Sequence, residues 1–185
     1  MSAFDNPWKT LSSRPIYDNP WISVREEQVL KPSGSPGIYG VVSFKNKAIG
    51  IVPVDSEGYT YLVGQFRYTL NAYSWEIPEG GGPFDEAPLE TAKRELEEET
   101  GLHASSWQDL GRIHTSNSVT DEEGFLFLAT GLTQGKSNPE DTEQLLIKRV
   151  SLTDAVGMVM SGEITDSLSI AGLLKASLLV QRMKY

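Results

Sequence analysis

No cysteine occurs among the 185 residues of this sequence, and that absence excludes several kinds of chemistry. A disulfide framework, a thiol nucleophile and a cysteine-ligated zinc site all need that residue. No segment approaches the roughly 18 consecutive apolar residues of a membrane span. The amino terminus also lacks the charged segment and apolar run of a secretion signal. We therefore expect a soluble, cytoplasmic protein.

Basic residues are also scarce. The sequence has 16 Lys and Arg residues against 25 Asp and Glu residues, and its formal net charge is −9. Nucleic-acid backbones and anionic membranes would repel such a chain, so neither is an expected partner. Apolar residues make up 39% of the sequence, which is enough to build a hydrophobic core. The length is typical of one compact domain with a small additional subdomain.

The negative charge is concentrated in one stretch, Gly80–Leu102, which holds seven acidic and two basic residues. Within it, Glu95, Glu98 and Glu99 are spaced i, i+3, i+4, so on a helix their side chains share one face. Like charges at this spacing weaken a helix, and a bound cation would offset the repulsion. Mg²⁺ prefers oxygen ligands and bridges carboxylates to phosphates. The stretch therefore predicts a Mg²⁺ site (with Mn²⁺ as a substitute) held against a diphosphate.

The rest of the sequence alternates short apolar runs with turn residues and predicts mostly strands, with three helices. Expected strands are 22–30, 37–44, 47–54, 59–66, 74–77, 107–114, 124–129 and 145–150. Expected helices are about 87–100, 152–160 and 167–179. Residues 1–20 are rich in proline, serine and aromatic residues and predict an extended arm. This alternation indicates an α/β or α+β sandwich.

Local signals refine the helices and the loop before the first one. In Pro78–Pro83, Gly80 and Gly81 predict a loop whose backbone can approach a ligand closely. The first helix is expected to end at Gly101 and to leave its glutamates facing a cleft. Its expected core stripe is Leu89, Ala92 and Leu96. The expected buried face of the last helix is Leu168, Ala171, Leu174 and Leu178.

The stretch Gly80–Leu102 also matches a known sequence pattern, G-x5-E-x7-R-E-U-x-E-E-x-G-U, in which U is an aliphatic residue. All nine constrained positions agree, namely Gly80, Glu86, Arg94, Glu95, Leu96, Glu98, Glu99, Gly101 and Leu102. This pattern is the Nudix box, and the chain therefore resembles the Nudix hydrolase family. Weaker similarity at 65–67, in the segment SWEIPEGG and at 115–129 resembles the branch that hydrolyses ADP-ribose and nucleoside diphosphate sugars.

The resemblance implies the Nudix α/β/α sandwich with a mixed sheet. It also implies Mg²⁺-dependent hydrolysis of a nucleoside diphosphate sugar, such as ADP-ribose or GDP-mannose, to a nucleoside monophosphate and a sugar phosphate. In this branch an N-terminal antiparallel β subdomain is often exchanged between the subunits of a homodimer. By resemblance, residues 1–45 would be that arm and β subdomain, and 46–185 would be the Nudix domain.

One departure from the pattern of the ADP-ribose branch leaves the identity of the substrate undecided. ADP-ribose enzymes of this kind usually carry a proline where this chain has Asn117. A Nudix pyrophosphatase acting on nucleoside triphosphates or dinucleoside polyphosphates is one alternative, although the long N-terminal β region argues against a minimal triphosphatase. A non-catalytic module that senses a nucleotide sugar is another. The complete set of box carboxylates favours the enzyme.

Metal ligation is expected from glutamates of the box and its entry. Glu95 and Glu99, at i and i+4, are the first candidates, and Glu98 is a third ligand or a catalytic partner. By resemblance, the carbonyl of Glu79 adds a backbone ligand. Arg94 is expected to orient a box carboxylate, since it can reach Glu98 along the helix.

An acidic loop, residues 138–144, is expected to complete the site. Glu143, and next Asp141, are the candidates for the general base or for an extra metal ligand. The alternative is that both are ordinary solvated acids. Glu86, at the start of the first helix, suits the helix dipole or supports the preceding loop.

Substrate contacts are expected from outside the box as well. Arg67 ends a strand and by resemblance contacts a phosphate or the terminal sugar; a surface salt bridge is the alternative. Glu76 is expected near the same cleft. Tyr17 and Trp21 are candidates for stacking on a nucleobase, with packing on their own domain as the alternative.

Overall fold

The computed structural model describes residues 5–135 and 145–182. None of the helices in these two ranges has the length and apolarity that crossing a bilayer requires. The chain forms two compact units, one built from residues up to Asn46 with Ser116–Glu122, the other from Lys47–Thr115 with residues from Glu123 onward. No sequence pattern indicates that the segment 116–122 belongs with the start of the chain. The division into functional domains at residue 45 stays a prediction.

The first unit is a three-stranded antiparallel sheet in the order β1-β2-β3. Its strands are β1 (Lys9–Asp18), β2 (Ile22–Leu30) and β3 (Pro36–Phe44). The extended arm predicted for residues 1–20 contains a strand that the sequence analysis does not predict, β1, which pairs with β2 along its length. All residues of β1 are exposed. Its sequence, KTLSSRPIYD, has no regular alternation of apolar and polar residues, which is the pattern by which a sequence reveals a strand.

The segment Ser116–Glu122 lies along β3 and is held there by hydrogen bonds. The Val42 N–H donates to the Val119 carbonyl at 2.9 Å. The Tyr39 hydroxyl donates to the Ser118 carbonyl at 2.7 Å. A polar stretch with no regular pattern in the sequence is thus ordered by the edge of a sheet.

The second unit contains seven strands and three helices within the described residues. The strands are β4 (Lys47–Pro53), β5 (Tyr59–Arg67), β6 (Ala72–Glu76), β7 (Glu79–Gly82), β8 (Leu102–His114), β9 (Glu123–Gln134) and β10 (Leu146–Ser151). The helices are α1 (Pro88–Thr100), α2 (Leu152–Ser161) and α3 (Ser167–Arg182). One sheet has the order β7-β4-β9-β8, with β4 parallel to β9 and the other pairs antiparallel. The other, β10-β5-β6, is antiparallel, and the predicted α/β architecture with a mixed sheet is confirmed.

Strand β4 is buried on both faces and separates two hydrophobic cores. Ile49 and Ile51 pack in one core with Ala92 and Leu96 of α1. Val52 packs in the other core, which contains residues of α2 and α3. Helices therefore cover both faces of the mixed sheet, and this layering fixes α1 against β4.

The buried face of α3 differs in part from the expectation. Leu168 is buried as expected, but Leu178 is 59% exposed, and the buried positions include Gly172 and Ala176. Leucines lie on several sides of this helix, so apolar spacing alone does not select a face. The small Gly172 lets the helix approach β4, because a Cβ there would lie 3.0 Å from Cγ2 of Val52.

Strand β7 corrects the expected glycine-rich loop. Glu79–Gly82 form an edge strand antiparallel to β4, with Gly80 opposite Ile49. A Cβ at Gly80 would overlap the carboxylate of Glu95 on α1, so only glycine lets the strand lie so close to the helix. Glycine and proline in a sequence suggest a loop, whereas here the missing side chain allows close packing.

Candidate active site

Helix α1 carries Glu95, Glu98 and Glu99 on one face. The ends of the helix and its packing determine where that face points. Pro88 stands in the first turn, and Gly101 ends the helix in the left-handed region with a φ of 69°. Both are signals that the sequence predicts. Ala92 and Leu96 are fully buried, which fixes the rotation of the helix about its own axis.

With that rotation, two glutamates of α1 lie under the backbone of β7. Glu95 and Glu99 are buried, at 9% and 3% exposure. The Glu79 N–H donates to Oε2 of Glu99 at 2.9 Å. Gly80 passes so close to Glu95 that no side chain fits between them. Both carboxylates therefore lie directly against the backbone of β7.

Arg94 connects the carboxylates of α1 with each other and with β7. Its Nη1 lies 2.8 Å from Oε1 of Glu95 and 2.7 Å from Oε2 of Glu98. Its Nη2 donates to the Gly81 carbonyl at 3.1 Å. Burial alone would lower the pKa of Arg94, but the charges of Glu95 and Glu98 raise it. Arg94 thus offsets part of the repulsion that the sequence predicts for this helix.

Glu86 ties the start of α1 to its surroundings. Its Oε2 accepts a hydrogen bond from the Thr91 hydroxyl at 2.7 Å. Its backbone carbonyl accepts one from Nζ of Lys47 at 2.6 Å. These contacts are those of a structural partner of the loop, and an interaction of Glu86 with the helix dipole stays a prediction.

The donor set of α1 fits a hard divalent cation. Glu95, Glu98 and Glu99 offer only carboxylate oxygens, and the bare backbone of Gly80 leaves no side chain in their way. In the described part of the chain, however, no three acidic or histidine side chains already converge as a metal-binding group. Arg94 contacts one oxygen of Glu95 and one oxygen of Glu98.

A second network lies at the entry to β7. The Arg67 Nε donates to Oε1 of Glu76 at 3.0 Å, and its Nη2 donates to Oε1 of Glu79 at 2.7 Å. Glu76 is only 3% exposed. The structure thus places Arg67 and Glu76 together, with the Arg67 charge already paired. Contact of Arg67 with substrate stays a prediction.

Asp166 is a neighbour of this network that the sequence analysis missed. It precedes α3 and accepts the Ser169 N–H at 2.7 Å, so it caps that helix. Burial, followed by the charges of Asp166 and Glu76, raises the pKa of Glu79 well above its usual value. Oε2 of Glu79 is buried and has no hydrogen-bond partner among the described residues. An aspartate just before a helix predicts the cap, but no local signal predicts its proximity to Glu79.

The remaining predicted site residues belong to the first unit or fall outside the described residues. Tyr17 and Trp21 belong to the first unit and are 54% and 68% exposed. Asn117 also lies in the first unit. Glu143 and Asp141 fall outside the described residues.

Comparisons with known proteins agree on one family. A sequence profile described as a nucleoside diphosphate sugar hydrolase N-terminal domain matches residues 8–42, and one described as a NUDIX domain matches residues 45–165. An ADP-ribose pyrophosphatase of Mycobacterium tuberculosis (strain ATCC 25618 / H37Rv) is 34% identical over 175 residues, covering 92% of this chain and 83% of that protein. An ADP-ribose pyrophosphatase of Bacillus subtilis (strain 168) is 33% identical over 161 residues, covering 86% of each.

A solved structure described as an ADP compounds hydrolase has the same fold. Its TM-score to this chain is 0.85 over 95% of both chains, at 17% sequence identity. This likeness supports the α/β architecture, while the NUDIX profile spans more than half of the sequence. Together with the complete box on α1, these matches show that the chain belongs to the Nudix hydrolase family.

Proposed function

We propose that this protein hydrolyses the diphosphate bond of a nucleoside diphosphate sugar, such as ADP-ribose or GDP-mannose, to a nucleoside monophosphate and a sugar phosphate. The observation that carries the proposal is the pair of buried carboxylates, Glu95 and Glu99, set against the side-chain-free backbone of β7. The N-terminal profile and the two ADP-ribose pyrophosphatase relatives support the same substrate class.

Nudix hydrolases generally need a divalent metal ion, and Mg²⁺ is the proposed ion here, with Mn²⁺ as a substitute. Glu95 and Glu99 would hold it, with Glu98 as a third ligand and the Glu79 carbonyl as a backbone ligand. When bound, such an ion neutralises charge on phosphate oxygens and makes a bound water more acidic. Arg94 orients Glu95 and Glu98 through the contacts it already makes to both.

In the reaction, the oxygen of a water molecule forms a bond to one phosphorus while the bond from that phosphorus to the bridging oxygen breaks. The bridging oxygen leaves with the electron pair, and the proton of the water passes to a general base. Glu143, or next Asp141, is the proposed base. Gly80 and Gly81 are proposed to contact the substrate through the backbone of β7. Proton transfer of this kind typically contributes about 100-fold to 10,000-fold in rate.

The proposal also covers the oligomeric state of the protein and its location in the cell. Residues 1–45 are proposed to exchange between the subunits of a homodimer, with 46–185 as the catalytic domain. Tyr17 and Trp21 are the proposed base-stacking residues, and the protein is proposed to act in the cytoplasm. Hydrolysis of nucleoside triphosphates or dinucleoside polyphosphates is the alternative enzyme function.

A substrate screen with and without Mg²⁺ tests the proposal. ADP-ribose, GDP-mannose, UDP-glucose, ATP and a diadenosine polyphosphate are ranked by kcat/KM from the products released. Turnover of a nucleoside diphosphate sugar that needs the metal is expected. A preference for ATP or the diadenosine compound would show that the proposed substrate class is wrong. The absence of turnover of every compound with metal present would refute the proposal that the protein is an enzyme.

Two variants of α1 separate the metal site from general effects on the helix. Glu99→Gln removes the charge of a buried proposed ligand and is expected to abolish most turnover. Glu90→Gln makes the same exchange at an exposed position that pairs with Lys93, and is expected to leave turnover unchanged. Near-normal turnover in Glu99→Gln would show that the proposed metal site is wrong.

A further inference from the structure

The connection between β6 and β7 is buried, and side chains of two helices accept its hydrogen bonds. Ile77 and Pro78 form this connection, and both are buried. The Ile77 N–H donates to Oγ of Ser169 on α3 at 2.9 Å. Pro78 has no N–H to donate, and the next one, of Glu79, donates to Oε2 of Glu99 on α1 at 2.9 Å. One short segment thus joins a hydroxyl of α3 to a proposed metal ligand of α1.

Ser169 is held firmly at the start of α3. Its side chain is fully buried, and its N–H donates to the Asp166 carboxylate that caps the helix, at 2.7 Å. The neighbouring Leu168 is buried in the core that α3 shares with β4. Because the first turn of the helix is fixed by both the cap and the core, the hydroxyl of Ser169 is a rigid acceptor for Ile77.

Packing and the hydrogen bond fix different properties of Ile77. Its side chain occupies space that two glycines leave free, since an added Cβ would lie 2.9 Å from its Cδ1 at Gly50 and 3.2 Å from it at Gly172. These contacts determine where the residue lies. The bond from its N–H to Ser169 determines how the peptide plane before Ile77 is oriented, because a buried N–H is costly to leave without an acceptor.

Pro78 makes the connection stiff. The proline ring fixes its own φ and restricts the backbone of the residue before it, Ile77. The Pro78 carbonyl also accepts the N–H of Ile51 on β4 at 2.8 Å. With so little freedom between Ile77 and Glu79, a rotation of the Ile77 peptide is passed on to the backbone of Glu79.

We propose that Ser169 is a positioning residue of the metal site. Its hydroxyl holds the Ile77 N–H and thereby sets the backbone of Glu79 against the carboxylate of Glu99. This inference rests on the proposed function, in which the Glu79 carbonyl and Glu99 are metal ligands, and Ser169 itself touches neither metal nor substrate. Loss of a group that orients metal ligands typically lowers metal affinity or activity by about 10-fold to 100-fold.

Ser169→Ala removes the acceptor with little change in volume, and amide hydrogen exchange measured by NMR tests the effect on Glu79. The reference is the Gly101 N–H, which donates to the Glu97 carbonyl at the far end of α1 at 2.8 Å. We expect exchange of the Glu79 amide to become about tenfold faster, or more, relative to Gly101. A general loss of stability would speed up both amides alike and leave their ratio unchanged.

Binding of Mn²⁺, measured by electron paramagnetic resonance of the free ion, tests the effect on the metal site. In Ser169→Ala we expect a dissociation constant about 10-fold higher or more, with a matching rise in the Mg²⁺ concentration that gives half-maximal turnover. Ser169→Thr keeps the hydroxyl and should resemble the wild type. Ser177→Ala makes the same exchange further along α3, where the hydroxyl accepts only a 3.5 Å bond from Gln181, and should change neither quantity.

The outcomes separate this inference from the proposed function. Wild-type Mn²⁺ affinity in Ser169→Ala, or an unchanged ratio of the two amide exchange rates, would overturn the inference and leave the function standing. A Ser169→Thr protein as impaired as Ser169→Ala would overturn it too. If the wild type binds Mn²⁺ but hydrolyses none of the screened compounds, the function fails, and the amide rates and Mn²⁺ affinities still decide the inference. A wild type that binds no Mn²⁺ would overturn the inference.

A second exchange covers the case in which Ser169→Ala does not fold. Ser169→Cys places a group of similar size at the same position, and a thiol is only a weak hydrogen-bond acceptor. The same two measurements are then made on that variant. Faster relative exchange of the Glu79 amide together with weaker Mn²⁺ binding is expected, and wild-type values of both would overturn the inference.

Discussion

Replacing Gly80 by alanine tests whether the contact between β7 and α1 is what makes the site. The added Cβ would overlap three atoms of the Glu95 carboxylate, namely Cδ and both oxygens. Glu95 is buried beneath the strand and paired with Arg94, so it has little room to move aside. The substitution therefore displaces a proposed metal ligand without changing any charge.

The size of the effect follows from packing and from positioning. Forcing extra atoms into a close-packed contact typically lowers the free energy of unfolding by about 1–3 kcal/mol. Misplacing a catalytic group by about 1 Å typically costs about 100-fold in rate. We therefore expect Gly80→Ala to remain folded, with a modest loss of stability and a fall of about 100-fold in kcat/KM.

Urea denaturation and steady-state kinetics on the best substrate of the screen measure the two effects separately. Gly40→Ala is the matched control, because Gly40 also lies in a strand but an added Cβ there meets nothing within 4 Å. That control should keep its activity. If Gly80→Ala binds Mg²⁺ and turns over substrate like the wild type, the close contact of β7 with Glu95 is not needed for catalysis.

Two further substitutions test the scaffold. Leu96→Ala opens a cavity at a fully buried position of α1 and should lower the free energy of unfolding, measured by urea denaturation, by about 2–5 kcal/mol. The control Leu178→Ala removes the same atoms at an exposed position and should lower it by about 0.5 kcal/mol or less. Equal losses would contradict the assignment of Leu96 to the core. Burial alone would raise the pKa of Asp55, but hydrogen bonds from the Tyr59 N–H and the Arg149 guanidinium lower it. This stabilisation is present above the unfolded-state pKa of about 3.9 and is lost as pH falls through the lower folded-state value. Asp55→Asn should therefore be destabilised at neutral pH, with the difference shrinking in acid; a difference independent of pH would contradict the assignment.

The sequence predicts the geometry of α1 well because local signals determine it. Pro88 and Gly101 mark the ends of the helix, and the i, i+3, i+4 spacing of its glutamates needs only helical geometry. The reach from Arg94 to Glu98 follows from the same geometry. The metal and catalytic roles of these residues stay predictions. Their positions relative to one another follow from the geometry of a single helix.

Features that depend on contacts distant in sequence were not predictable in this way. Strand β1 has no buried face, and β7 is a strand only because β4 pairs with it. Asp166 reaches the carboxylate of Glu79 because α3 returns to the sheet, and its position along the chain carries no sign of that approach. Hydrophobic spacing predicted the buried side of α3 only in part, because Leu178 is exposed and the small Gly172 packs against β4.

The pairing of the two arginines described at the site supports the proposal that a cation takes part in binding a diphosphate. Arg94 is held by two glutamates of α1, and Arg67 is held by Glu76 and Glu79. A diphosphate adds negative charge to a region where acids already outnumber bases. Drawing either arginine to the phosphates would separate it from its carboxylate partners, and a buried carboxylate that loses its partner costs free energy. A cation that enters with the substrate or before it is therefore the group best able to neutralise the phosphate charge. Both arginines already form ion pairs with carboxylates, and the glutamates of α1 are spaced to bind that cation.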